Sequence, residues 1–496
     1  MKKIAIAALA LVAISLAGVL PYFFGLKTEQ VFRSRLAEAS TRGQVRYEVQ
    51  NYERGYLVSK VDVLIVLDFL GEVANAEPET QKLTRLLFQG TVHHGPLILS
   101  AGSFEGEPAP LFALGAMDGA LFFEQEPVFY QMFFGQAPLV TSRAVIGPTG
   151  AADLKIRGQR LAYKAPDGSI DLDWKGFLAS VSLDGDRLGG KVEGEGLTAS
   201  SRIGGFNLLG YRSGFDLVRH STGYYLGRQN MTMDGVNVSV GDQKIFSAGK
   251  LTVGYDSSAD TNLMSFSSTL DFSKFEVGKR TFGPMTLKTL GRNIDLNGVK
   301  MLEQSYRDAL TNLETGRKAN SENAPPPGSD PGVKGGLPTE PSGGIQLSDD
   351  IVAALKTIAG GAPSIEVPGF SLDSPDGRVT GTVKMGVSPT AKIDFSNPES
   401  ITAAVFMDFS ISVPRKLAVE FWKLNMGADV RKRLLMKDAQ TFPTEAEVDD
   451  YAGKLAEKKL DEKIKQGLYR PRGEYLLMDG GLGNGILTVN GKRIPL

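Results

Sequence analysis

Short runs in which apolar and polar residues alternate, punctuated by Asp-Gly pairs, set the tightest limit on what this chain can fold into. Val45, Tyr47 and Val49 alternate with Arg46, Glu48 and Gln50, and Val61, Val63, Ile65 and Leu67 recur two apart. Ile170 to Trp174, Phe177 to Leu183, Val236 to Val240 and Phe266 to Phe272 continue the pattern. Successive side chains on a strand point to opposite faces, so a period of two marks strands with one apolar face. Asp167-Gly168, Asp184-Gly185 and Asp234-Gly235 are turn signals of the kind that join antiparallel neighbours. Consecutive hairpins forming a long curved sheet are therefore expected, in preference to a parallel α/β sheet.

Helical spacing interrupts the strands. Val31, Phe32 and Leu36 share a face in Thr28 to Ala39, and Leu302, Tyr306, Ala309, Leu310 and Leu313 do so in Met301 to Arg317. Ser348 caps a helix from Asp349 to Ala359, and Pro414 opens one reaching about Met436. Thr444 and Glu447 have the spacing of a capping box, followed by a stripe of Val448, Tyr451, Ala452, Leu455, Leu460 and Ile464 that Gly467 ends. Ile365 to Leu372, Arg378 to Val387 and Ile401 to Val413 read as strands, and Tyr475 to Met478 with Ile486 to Val489 as a closing hairpin. The predicted class is α+β, mainly antiparallel, a long curved β-sheet with packed helices, preceded by one N-terminal transmembrane helix. The expected divisions are an anchor at 1–26, a β-rich region at 27–317, a Pro/Gly-rich linker at 318–344 and an α+β region at 345–496.

The anchor expectation comes from Lys2 and Lys3 followed by Ile4 to Phe24 without a charge. At about 1.5 Å per residue this run reaches roughly 30 Å, the thickness of a bilayer's hydrocarbon core. Ser15 and Ala17 also fit a cleaved signal peptide, but the run continues to Tyr22, Phe23 and Phe24, where interfacial aromatics are expected. Both readings export the chain. The favoured one places a single-pass anchor in an inner membrane with the bulk of the chain in the periplasm.

Charge and cysteine content narrow the chemistry. A formal net charge of -1 supplies no field to hold a polyanion, so nucleic acid is not an expected partner, and zero cysteines exclude disulfides and thiolate metal sites. Gly185 to Lys191 has the glycine and lysine spacing of a phosphate loop, but Val192 stands where a hydroxyl is required and the flanks read as strands. Asp184 to Glu195 mimics a calcium loop with Leu188 at a ligand position, and Asn293 to Gly298 lacks the acidic twelfth residue, having Gln304. His93 and His94 would point to opposite faces of a strand, and His220 is distant in sequence. Gly210-Tyr211-Arg212-Ser213-Gly214 sets its serine one place late for a nucleophile elbow and reads as a turn. Asp171 and Asp173 share a strand face and are the only named residues for acid/base chemistry. No catalytic, cofactor-binding or metal-binding residue is assigned, and no cofactor is expected. The lysines and arginines between Arg431 and Lys465 read as solvated helix faces.

Tyr52-Glu53-Arg54-Gly55-Tyr56-Leu57-Val58-Ser59 resembles the Tyr-x-Arg-Gly-aromatic-x-x-Ser signature of the bacterial YdgA-like proteins. Val92-His93-His94-Gly95-Pro96-Leu97 is similar to that family's His-Gly-Pro-Leu strand, and Tyr475 to Leu477 with Gly485 to Lys492 is similar to its closing hairpin. The Pro-rich stretch from Asn323 to Gly344 is a departure. The resemblance implies an inner-membrane anchor and a large periplasmic part without an established reaction. It leads to an expected Tyr52 and Tyr56 packed on either side of a tight Arg54-Gly55 turn. The expected function is non-enzymatic: an envelope-maintenance protein whose sheet binds lipid or an envelope protein. The alternative is an assembly scaffold that recruits partners or a second copy of the chain, and a hydrolase with an acidic site is the third.

Overall fold

A computed structural model describes residues 45–67, 82–95, 97–98, 111–127, 135–241, 243–277, 280–306, 348–395, 397–423 and 444–494, with scattered positions in 26–40 and at 130–131, 308 and 426. Two compact units emerge, one comprising Met1–Arg219, Gly227–Val253 and Phe275–Lys279, the other His220–Leu226, Gly254–Lys274 and Arg280–Leu496.

The first unit is an antiparallel ladder. Its strands are β1 (Val45–Glu53), β2 (Val58–Leu67), β3 (Arg85–His94), β4 (Leu97–Ile98), β5 (Leu111–Phe112), β6 (Gly115–Phe123) and β7 (Val140–Ile146). They continue with β8 (Ala152–Gly158), β9 (Leu161–Lys164), β10 (Ile170–Trp174), β11 (Phe177–Asp184), β12 (Arg187–Ser201) and β13 (Gly204–Arg219). Hydrogen-bonded neighbours run β1-β2-β3-β6-β7-β8-β11-β12-β13. The β9–β10 hairpin joins the far half of β12 through β10, and β4–β5 pair separately. Asp184 faces Arg187 across the β11–β12 turn, and Gly185 occupies the left-handed region at φ 56, as a two-residue hairpin loop requires.

At the β1–β3 end, Val61, Val63 and Val92 form a buried cluster against Tyr47, Val49 and Tyr52. The described residues between 26 and 40 are helical, and Phe32 and Leu36 from them close this cluster. Burying each such valine contributes about 1.5–3 kcal/mol, so the helix is held by the apolar stripe that its sequence shows. On the opposite face, Ile98, Ala113 and Ala116 pack with Val145.

The second unit repeats the principle. Its ladder runs Leu263–Phe272, Met285–Asp295, Ser364–Ser374, Gly377–Val387, Val405–Pro414, Tyr475–Gly483, Ile486–Val489 and Lys492–Ile494, all antiparallel. Ser348 caps the helix Asp349–Gly360 by accepting from the Ile351 amide, and the capping box of Thr444 and Glu447 starts the helix Glu445–Lys465. Val448, Ala452 and Ala456 of that helix bury against Met426, Val419 and Trp422.

The expected α+β class with a leading transmembrane helix is corrected: among the described residues the chain is mostly antiparallel sheet, 58% strand against 21% helix. Strands of 15 and 16 residues, β12 and β13, absorb far more chain than the sequence's turn signals suggested. No helix among the described residues is long and apolar enough to cross a membrane. The 21-residue helix Glu445–Lys465 is amphipathic, with charges along most of its length. The leader at 4–24, residues 309–344 and residues 427–436 lie outside the described residues. Gly210 to Gly214 is not a turn but the middle of β13. Ile401 opens no strand, because Asn397 caps a short helix, Pro398–Ala404, by accepting from the Glu399 amide with Pro398 in its first turn. The helix expected from Met301 already begins at residue 296, where the Asp295 carboxylate accepts from the Gly298 amide at 2.9 Å.

Candidate functional site

The residues of the Tyr-x-Arg-Gly and His-Gly-Pro signatures meet in space. β2 and β3 pair so that Val58 faces His93, which turns Ser59 and His94 to the other face. There Ser59 Oγ and His94 Nε2 are 2.8 Å apart, and both residues are buried. The Tyr52 hydroxyl lies beside them, buried and without a completed hydrogen bond, as is His94 Nδ1. Burial pushes the His94 imidazole below its ordinary value, with the neighbouring His93 adding to the effect. Burial likewise raises the Tyr52 phenol, against a smaller opposing pull from Ser59. A serine–histidine pair is the start of a nucleophile, but this one is sealed from solvent, and no carboxylate among the described residues orients the ring from Nδ1. Its geometry is that of a polar joint in a core.

The adjacent histidine faces a different environment. His93 Nε2 is 3.3 Å from Asp118, which stands opposite Arg143 across β6 and β7. From there mostly charged and hydroxyl side chains continue in register: Arg143, Lys155, Ser180 and Lys191 form one row, and Thr141, Arg157, Glu193 and Arg212, with Leu178 among them, the next. Hollows of about 540 Å³ and about 740 Å³ open on this polar face. Opposite charges neighbour one another within and beside them, as in the 3.0 Å Arg212–Asp234 pair.

The reverse side of the same strands is apolar. Ile146, Ala152, Leu183, Leu188 and Leu217 stand in one row across β7, β8, β11, β12 and β13, and Ala144, Leu154, Val181, Gly190 and Phe215 in the next. Ser142, Ile156, Ala179, Val192 and Ser213 follow, then Val140, Gly158, Phe177, Gly194 and Tyr211. None of the buried hydrophobic clusters among the described residues lies on this field. Ile146 and Leu183 are 43% and 39% exposed at its margin, and most of its larger side chains are half-buried. Three aromatic rings lie flat across glycines of facing strands. A Cβ built on Gly158 would fall 2.3 Å from Phe177, one on Gly190 2.5 Å from Phe215, and one on Gly194 2.3 Å from Tyr211. Rings laid down in this way make a smooth, shallow surface instead of a comb of upright side chains. With a rise of about 3.4 Å per residue and strands about 4.8 Å apart, the field spans roughly 400 Å² of sheet, the size of a typical monomer's largest apolar patch, which is often functional.

The residues weighed in the sequence are placed elsewhere. Asp173 pairs with Lys175 and lies 3.9 Å from Arg160, while Asp171 is exposed. Lys191 sits inside β12, not at a helix start, so the phosphate-loop spacing has no loop behind it. Asp295 is engaged as a helix cap, and His220 contacts Thr222 at 2.9 Å within a turn. No group of three His, Cys, Asp or Glu that could hold a metal occurs among the described residues.

A family model described as a bacterial protein of unknown function, DUF945, matches residues 1–496. The chain belongs to DUF945. No curated protein and no solved structure matches it. Within this DUF945 chain sequence reasoning expected strands with one apolar face but did not assemble these four rows, although the Asp184-Gly185 turn carries their register. Counting outward from that turn sets Leu183 against Leu188, Val181 against Gly190 and Phe177 against Gly194.

Proposed function

We propose that this DUF945 chain is a non-enzymatic binding protein of the bacterial envelope that receives lipid acyl chains on the apolar field of β7, β8, β11, β12 and β13. The observation that supports this reading is the two-sidedness of these strands, polar rows on one side and four largely apolar rows on the other, with none of the buried clusters of the described residues on the apolar side. A buried methylene contributes about 0.8 kcal/mol, so ten of them bring about 8 kcal/mol against the cost of immobilising the ligand. A flat strip of ring and aliphatic surface suits a flexible chain, which needs no directional partner. Export and attachment to the inner membrane belong to the same reading, supported by Lys2-Lys3 and the uncharged run that follows.

Native mass spectrometry of the full chain, extracted from membranes, is expected to find phospholipid bound, and a photoreactive fatty acid to label peptides of β8 and β11. Absence of bound lipid together with labelling spread over the polar face would overturn the proposal. A C-terminal phosphatase fusion that is active only outside the cytoplasm tests the export.

A further inference from the structure

The Tyr-x-Arg-Gly signature is divided by the fold. Tyr52 and Ser59 turn inward, while the residues between them form the tip of the β1–β2 hairpin, exposed from Glu53 to Val58. The expectation that Tyr56 packs beside the turn is not met: Tyr56 is 49% and Leu57 54% exposed, and Val58 follows them at the surface. Adjacent bulky apolar residues at a solvent-facing tip have no role in the core beneath.

The tip is nevertheless held firmly in place. Gly55 permits a turn so tight that a Cβ there would lie 2.1 Å from the Val58 carbonyl oxygen. The His94 amide donates to the Leu57 carbonyl at 2.8 Å. Arg54 approaches Glu29 at 3.6 Å, Glu29 pairs with Arg33 at 3.1 Å, and Arg33 lies over the Tyr52 ring at 5.6 Å. These contacts fasten the hairpin to the helical residues that directly follow the leader. Glu29 lies only about 5 Å along that helix from Leu26.

The geometry points to the β1–β2 tip, from Arg54 to Val58, as a contact with the bilayer surface, with Tyr56 and Leu57 entering the boundary between headgroups and acyl chains and Arg54 facing lipid phosphates. Tyrosine favours that boundary because its ring is apolar and its hydroxyl stays wet, and arginine beside it meets anionic headgroups. The occupant is a lipid surface because the tip is fastened to Glu29, which follows in sequence shortly after an uncharged run of bilayer length, from Ile4 to Phe24. This inference rests on the attachment of the leader proposed above, and it adds a second, shallow contact that would fix the orientation of β1–β3 at the membrane.

The chain contains no cysteine, so single labels are unambiguous. The full chain, carrying an environment-sensitive fluorophore at Ala8→Cys, Leu57→Cys or Ile203→Cys, is reconstituted in vesicles of phosphatidylethanolamine and phosphatidylglycerol that contain a lipid spin-labelled near the headgroup. Ile203, 82% exposed at the β12–β13 turn, is the reference for a solvated tip. Quenching several-fold stronger at positions 8 and 57 than at 203 is expected. Quenching at 8 with position 57 equal to 203 would overturn the tip contact and leave the attachment standing. No quenching at either 8 or 57 would overturn both.

Discussion

His94 couples protonation to stability through its burial. Its imidazole is buried against Ser59, with Tyr52 from β1 and His93 from its own strand as the titratable neighbours, and burial depresses its affinity for protons. The unfolded chain holds that proton with the ordinary value of 6.5, so above this value neither state is charged and the shift contributes nothing. Below it the unfolded state takes up the proton first, and stability falls with decreasing pH until the folded value is reached, by at most about 1.4 kcal/mol per pH unit. Thermal melts of the full chain are expected to lose stability from pH 6.5 downward, and His94→Gln, whose amide can either donate to or accept from Ser59, to flatten that slope. An equally steep slope in the variant would place the sensitivity elsewhere. Glycine is the other decisive residue type. Gly291 faces Phe266 across the strands Met285–Asp295 and Leu263–Phe272, and a Cβ there would sit 2.0 Å from the ring. Gly291→Ala must lift the ring from the sheet, and overpacking of this kind costs about 1–3 kcal/mol. Urea denaturation should show that loss, and Phe266→Leu in the same chain should recover much of it, since the clash is with the ring and not with the backbone.

At the level of elements, the parts that were legible in the sequence are those whose signals are local. The Asp184-Gly185 turn, the Ser348 cap and the Thr444–Glu447 capping box each satisfy their own backbone groups within a few residues, so the pattern alone suffices. Hydrogen-bond donors at the start of the helix Glu445–Lys465 depend on Thr444, whose hydroxyl accepts from the Glu447 amide at 3.3 Å while Glu447 accepts from the Thr444 amide at 2.8 Å. The same contacts hold the Glu447 carboxyl below its ordinary range. Thr444→Ala is expected to weaken the helix by about 1 kcal/mol, read as faster amide exchange in its first turn with the later turns less affected. Uniform acceleration along the whole helix would mean that the cap is not its limiting feature. The signals that failed were glycines whose partners lie on another strand. Gly210 and Gly214 suggested a turn, yet in β13 Gly214 stands opposite Lys191 and Gly210 lies close to the Asp234 carboxylate and the Gly194 carbonyl. A glycine needed for close cross-strand approach looks, within its own segment, the same as one needed for a bend. The short helix Pro398–Ala404 was lost for the converse reason: its cap is local, but the β-branched and aromatic run after it dominates the pattern.

At the scale of the whole molecule, the two faces of the first unit's ladder offer different forces to a ligand, and salt separates them. The polar face intermingles its signs, with Asp153 beside Lys155 and Arg157, Lys191 beside Glu193, and Arg187 paired with Asp216 at 2.7 Å. The full sequence sums to a net charge of -1. Such an arrangement generates no long-range field, and what remains between exposed charges is screened over about 8–10 Å at ordinary ionic strength. Little of this face was legible beforehand, because its rows exist only once β7, β8, β11, β12 and β13 are set in register. The same holds for the apolar rows behind it, whose members come from five separate strands and are mostly interleaved with charged or hydroxyl residues in the sequence. If acyl chains bind where proposed, their affinity derives from apolar area alone and should be unchanged, or slightly strengthened, as salt rises from about 50 mM to about 500 mM, since salt screens charge but not the removal of methylenes from water. Titration of the purified full chain with a fluorescent fatty acid measures this directly. Val181→Asp, which sets a charge in the second apolar row without touching the polar face, should weaken binding at every salt concentration, with circular dichroism confirming that the sheet persists. Affinity that instead collapses with salt, and survives the aspartate, would move the ligand to the opposite side of the strands and to the Arg143, Lys155 and Lys191 row.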